Sequence, residues 1–88
     1  MQDLERFFDD SAMSFLEDYV NTYSPTTMEK EGQQKWLEYI KAYIDRHMVD
    51  NYGTAVGVIN PEAEHKVVIE AHADEISWRV HYISEDGF

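Results

Sequence analysis

Apolar residues open the chain at three- and four-residue spacings: Leu4, Phe8, Ala12, Phe15, Leu16, Tyr19, Val20 and Tyr23. That period predicts an amphipathic helix, with Asp3, Glu5, Asp9, Asp10, Glu17 and Asp18 mostly on its other faces. Ser14 and Glu17 have capping-box spacing, so a restart at Ser14 would leave residues 1–10 as a separate or frayed turn. Asn21-Thr22-Tyr23-Ser24-Pro25 ends the pattern, because the residue before a proline is driven out of the α region. Thr26 and Glu29 repeat the capping spacing and predict the start of a second helix. Its apolar stripe is Trp36, Leu37, Ile40, Tyr43, Ile44 and His47. Gly32 inside it costs about 1 kcal/mol relative to alanine and suits a close approach of another segment.

After Asp45 the period falls from 3.6 to 2. Met48 to Asn51 reads as a short strand, Tyr52-Gly53 as a tight turn and Thr54 to Ile59 as a second strand. Residues 60–64, Asn-Pro-Glu-Ala-Glu, read as a loop. Lys66 to Ala71 reads as a third strand, apolar without alternation at Val67, Val68 and Ile69, as in a strand covered on both faces. Ile76 to Ile83 reads as a fourth, with Ile76, Trp78, Val80 and Tyr82 alternating against Ser77, Arg79, His81 and Ile83. Glu85-Asp86-Gly87 is a hairpin turn signal one residue before the end of the sequence. The fold expected is α/β: two amino-terminal helices followed by about four strands, with the fourth strand's partner missing. This looks like the first part of a larger domain, incomplete as given.

The chain has 88 residues, 43% of them hydrophobic and 14% aromatic, which argues against intrinsic disorder. Asp and Glu number 18 against 7 Lys and Arg, a net charge of -11. Phosphate backbones and anionic bilayers would be repelled, so neither nucleic acid nor a membrane is an expected partner. The absence of cysteine removes disulfides and thiolate metal sites together. No basic, apolar leader opens the sequence and no apolar run approaches the ~20 residues of a membrane span. The expectation is a soluble, cytoplasmic protein.

Chemistry concentrates at His72-Ala73-Asp74-Glu75, directly after the most buried-looking strand. Ligands in open α/β sheets collect at the carboxyl ends of strands. A neutral imidazole can ligate zinc or cobalt while a carboxylate two residues on fixes its orientation. His-x-Asp alone is too short to be specific, and a histidine after a strand is more often a solvated or hydrogen-bonded residue. His47 reads as the end of the helical stripe or a cation near the helix terminus, and His65 as a loop residue. His81 carries no assigned role.

Asp50-Asn-Tyr-Gly-Thr-Ala-Val-Gly-Val-Ile59, followed after a turn by Lys66-Val-Val-Ile-Glu-Ala-His-Ala-Asp-Glu-Ile76 and then by the ending Glu85-Asp-Gly-Phe88, resembles a known family. The resemblance is to the amino-terminal segment of co-catalytic metallo-aminopeptidases of the tetrahedral and glutamyl aminopeptidase type. Ser24-Pro25-Thr26, Glu29 and the helix over Trp36 to Asp45 also match, so it covers about residues 14–88. It implies that residues 1–88 are the first part of the catalytic metallopeptidase domain of an α/β/α hydrolase that removes amino-terminal residues from peptides. It further implies two divalent metal ions (zinc, cobalt or manganese) and a homo-oligomeric complete protein. His72 would be a metal ligand and Asp74 a catalytic or ligand-orienting residue. Trp78 departs from the small or aliphatic residues common at its position, which bears on the pocket wall. The family's bridging aspartate, general-base glutamate, two further acidic ligands and distal histidine, with its oligomerisation insert, have no counterparts in these 88 residues. The chain alone is therefore expected to be inactive. The competing expectations are a freestanding acidic protein-interaction domain and a degenerate relative that kept the fold's entry without the activity. Acidic residues scattered over both helices and the loops, with no single face favoured, weigh against a nucleic-acid decoy.

Overall fold

The computed structural model describes residues 7–88. Among these it has two helices followed by a two-stranded antiparallel sheet, a small mixed α/β arrangement. Helix α1 spans Asp10–Val20 and α2 spans Lys30–Ile40; β1 is Arg46–Val49 and β2 is Ala55–Val58. The part of the expected first helix that includes Leu4 lies outside the described residues.

Both helices begin differently from the expected capping boxes. Asp9 caps α1, its carboxylate accepting from the Ala12 amide at 2.8 Å, while Ser14 lies inside the helix. Aspartate is among the strongest N-caps, and its charge also suits the positive end of the helix dipole. At α2 the cap position falls to Glu29, whose side chain reaches back to accept from the Thr27 amide at 2.9 Å. Thr26 is left free for a distant partner. The second helix also stops at Ile40, where the Tyr43 amide donates to the Ile40 carbonyl at 2.8 Å in a tight turn. His47, expected at the end of the helical stripe, therefore stands exposed on β1.

The helices meet through Phe15 of α1 and Tyr39 of α2, stacked with ring centroids 4.1 Å apart, and through Lys35 to Asp18 at 2.8 Å. An ion pair this exposed contributes at most about 1 kcal/mol, so the aromatic stack carries more of the contact. Burial raises the Tyr19 hydroxyl above its ordinary value. Gly32 makes the close approach its position suggested: a Cβ there would lie 2.7 Å from the Ser24 hydroxyl oxygen. This brings the Ser24-Pro25 segment flat against α2, and Ser24 and Pro25 are among the few buried residues.

The hairpin pairs Arg46 with Val58 and Val49 with Ala55. Its first strand is thus shifted about two residues towards the amino terminus from the expected Met48 to Asn51. Asp50 organises the turn, its carboxylate accepting from the Tyr52 and Thr54 amides, each at 2.9 Å. These backbone donors hold the Asp50 carboxyl below its ordinary value. The turn is therefore best held above the ordinary carboxylate range and loosens as pH falls through the lowered value.

Gly57 lets the hairpin sit against the end of α2, since a Cβ there would lie 2.7 Å from Ile40 Cδ1 and 3.1 Å from Ile44 Cγ2. Overpacking such a contact costs about 1–3 kcal/mol. Gly57→Val is expected to lower hydrogen-exchange protection of the β1–β2 amides by roughly 10- to 100-fold. Unchanged protection would show that the helix does not hold the hairpin.

Two of the four expected strands are not shown among the described residues. Residues 66–71 and 76–83 form no ladder among the described residues; the segment's backbone pairing is an isolated parallel bridge between Pro25 and Glu75. A β-branched run states which side chains would suit a sheet, but a strand exists only where a neighbouring backbone accepts its hydrogen bonds. Val67, Val68, Ile69, Ile76, Trp78, Val80, Tyr82, Ile83 and Phe88 are each at least 67% exposed. The hairpin signal at 85–87 does form a turn, with the Gly87 amide donating to the Ser84 carbonyl at 3.0 Å.

Among the described residues Pro25 is fully buried, but no Ala, Val, Ile, Leu, Met or aromatic side chain is. The radius of gyration is 17.6 Å, against about 12 Å for a compact chain of this length. The accessible surface is 8554 Å², where a compact chain of this size exposes roughly 5,400 Å².

Candidate functional site

The backbone of Ser24-Pro25-Thr26 grips the His72–Glu75 segment. The Glu75 amide donates to the Ser24 carbonyl at 2.9 Å and the Thr26 amide donates to the Glu75 carbonyl at 3.3 Å. Pro25 between them has no amide to leave unpaired, which suits a short bridge. Arg79 reinforces the same place, its Nη2 donating to the Thr26 carbonyl at 3.4 Å and the Thr27 hydroxyl at 3.5 Å. Thr27 itself has φ 77°, a left-handed conformation in which a β-branched residue is an outlier.

On this frame, His72 Nδ1 lies 3.0 Å from the Asp74 carbonyl oxygen and 3.2 Å from Asp74 Oδ1. The carbonyl oxygen accepts, as does the carboxylate when ionised, so both contacts are hydrogen bonds in the tautomer that carries its proton on Nδ1. The lone pair of neutral His72 then sits on Nε2, on a side chain 86% exposed. The other carboxylate oxygen, Asp74 Oδ2, accepts from the Thr26 hydroxyl at 2.7 Å. Thr26 and His72 together hold the Asp74 carboxyl below its ordinary value, the threonine contributing most.

His72 and Asp74, singled out from the sequence, thus come together as a histidine with an orienting carboxylate. Sequence reasoning missed Thr26 in this role: its spacing to Glu29 pointed to a helix cap, and nothing local announces a partner 48 residues away. His47, His65 and His81 make no side-chain hydrogen bonds to this group. Among the described residues no three His, Asp or Glu side chains gather to hold a metal ion. The donor chemistry therefore fits one imidazole ligand and its orienting carboxylate, and does not by itself fit a two-metal centre. No described helix is long and apolar enough to cross a membrane.

Comparison of the chain with protein-family models, with curated proteins and with solved structures finds no match.

Proposed function

We propose that this chain is the amino-terminal segment of the catalytic domain of a di-metal aminopeptidase, with peptides as substrate. The observation that carries the reading is His72 Nδ1 lying 3.0–3.2 Å from two oxygens of Asp74, an arrangement that in the Nδ1–H tautomer leaves Nε2 of an exposed side chain able to ligate. Metal-binding histidines characteristically donate their second ring nitrogen to a carboxylate or carbonyl in this way. In this proposal His72 supplies one ligand and Asp74 fixes its tautomer and direction. The finer expectation of a four-stranded sheet belongs to the same proposal. The exposed apolar residues of 67–69 and 76–83 would be the surface that the rest of an α/β/α domain covers, pairing those segments as strands.

When bound, two divalent metals would activate water and polarise the scissile carbonyl. This chain's own residues account for one imidazole of that centre and for its orientation. The complete protein would be a cytoplasmic homo-oligomer.

The 88-residue chain alone is expected to show no turnover of amino-acid anilides with added zinc, cobalt or manganese. Chelator-sensitive turnover that survives purification controls would overturn the proposed division of the site. Reading the coding sequence beyond Phe88 for the missing aspartate, paired glutamates and histidine separates the aminopeptidase reading from a freestanding acidic domain.

A further inference from the structure

We infer that Thr26 is a positioning residue for His72, acting through Asp74: its hydroxyl fixes the carboxylate rotamer that keeps the His72 proton on Nδ1 and the Nε2 lone pair outward. The part of this inference that concerns metal rests on the aminopeptidase reading; the part that concerns the imidazole does not.

The geometry separates the two oxygens of Asp74 into two tasks. Oδ2 accepts the 2.7 Å bond from Thr26, while Oδ1 faces His72 Nδ1 at 3.2 Å. A carboxylate on an exposed loop ordinarily samples several rotamers, and a hydrogen bond from His72 alone would not select one. A second, charge-assisted bond from a different segment does select one, because it is satisfied only when Oδ2 points at Thr26. Thr26 is in turn poorly free to move. Its amide is bonded to the Glu75 carbonyl, its carbonyl accepts from Arg79, and the buried Pro25 precedes it. The neighbouring Thr27 keeps φ 77° in spite of its branched Cβ, held there by the Glu29 carboxylate on its amide. Left-handed backbone of this kind is unfavourable for a branched residue, and it is retained where surrounding contacts impose it. Thr27 thereby fixes the backbone directly after Thr26. The Asp74 carbonyl, at 3.0 Å from Nδ1, is a second acceptor on the same residue, so it follows the loop that Thr26 anchors.

The test is the tautomeric state of His72 in the full chain, read from long-range proton–nitrogen correlation spectra of ¹⁵N-histidine-labelled protein at about pH 8.5, where an ordinary imidazole is neutral. The wild-type chain is expected to show Nδ1 as the protonated nitrogen. Thr26→Val, which keeps the branched shape and removes the hydroxyl, should raise the Nε2–H form until the two tautomers are comparably populated. Thr26→Ser should restore the wild-type spectrum, which a merely structural role for the methyl group would not do. The Glu75 amide resonance serves as the fold control, because the Ser24–Glu75 bridge does not use the hydroxyl. With cobalt(II) alone as probe, affinity should fall roughly 10-fold in Thr26→Val, at the lower end of the 10–100-fold losses seen for outer partners of metal-binding histidines. An unchanged Nδ1–H spectrum in Thr26→Val with the Glu75 resonance in place would overturn the inference. Loss of the tautomer preference with no cobalt binding in the wild type would uphold Thr26 as a positioning residue and overturn the metal reading.

Discussion

If the chain is part of a di-metal aminopeptidase, as proposed, Asp74→Asn is expected to reduce peptide turnover of that enzyme by roughly 10–100-fold while leaving most of its metal in place. Asparagine keeps the side-chain volume and can still present a carbonyl oxygen to His72 Nδ1. It loses the negative charge that Asp74 places 3.2 Å from His72 Nδ1. It also disturbs the bond from Thr26, because a neutral amide oxygen accepts more weakly than a carboxylate oxygen, and the 2.7 Å contact is a charge-assisted one. Glu75→Gln should do much less. Glu75 meets the rest of the protein here through its backbone, the Ser24 carbonyl and Thr26 amide being its partners, and the substitution leaves those bonds intact. Metal content by elemental analysis beside turnover of an amino-acid anilide checks both variants. Equal losses in Asp74→Asn and Glu75→Gln would mean that the local charge, and not the His72–Asp74 geometry, is what matters.

The isolated chain is expected to self-associate, giving a mass above that of the monomer by size-exclusion chromatography with light scattering. Ile76, Trp78, Val80 and Tyr82 are 96%, 99%, 78% and 73% exposed, a density of uncovered apolar side chains that soluble monomers avoid. The backbone around them has no ladder partner among the described residues, and unpaired backbone beside β-branched and aromatic side chains favours pairing with a second copy. A net charge of -11 opposes the approach of two copies. Association should therefore strengthen as salt rises from low to physiological and higher ionic strength, since the Debye length falls from about 30 Å at 0.01 M to about 3 Å at 1 M. Replacing Trp78 and Val80 with lysine should return the chain towards monomer by adding charge to the uncovered segment. A monodisperse monomer with cooperative thermal unfolding in the unmodified chain would contradict this account and indicate a self-sufficient domain.

The helical elements were the most legible part of the sequence, for physical reasons that the particular residues make plain. The 3.6 period over Ala12 to Tyr19 and over Trp36 to Ile40 is a local property, and Pro25 stops the first pattern locally. The caps were less legible, since Ser14, Asp9, Thr26 and Glu29 are all competent and only tertiary placement chooses among them. Asp9 won at α1, and Thr26 was drawn away from α2 by Asp74. The β1–β2 hairpin was visible because its partners are neighbours in sequence and Tyr52-Gly53 signals the turn between them. Segments 66–71 and 76–83 carry equally strong strand composition, yet their pairing depends on backbone from elsewhere, which composition does not report. The same divide runs through the site. His72 and Asp74 are two residues apart and could be read together, whereas Thr26 and Arg79 reach that place only through the bridge at Pro25 and Glu75.

The central claim is that His72 is a metal ligand aimed by Asp74, and counting metals tests it most directly. In the proposed aminopeptidase, His72→Ala should bind one divalent ion fewer than the wild type by elemental analysis, with turnover lost, because no other described histidine stands beside it to replace the imidazole. Both metals retained with normal turnover would contradict the account.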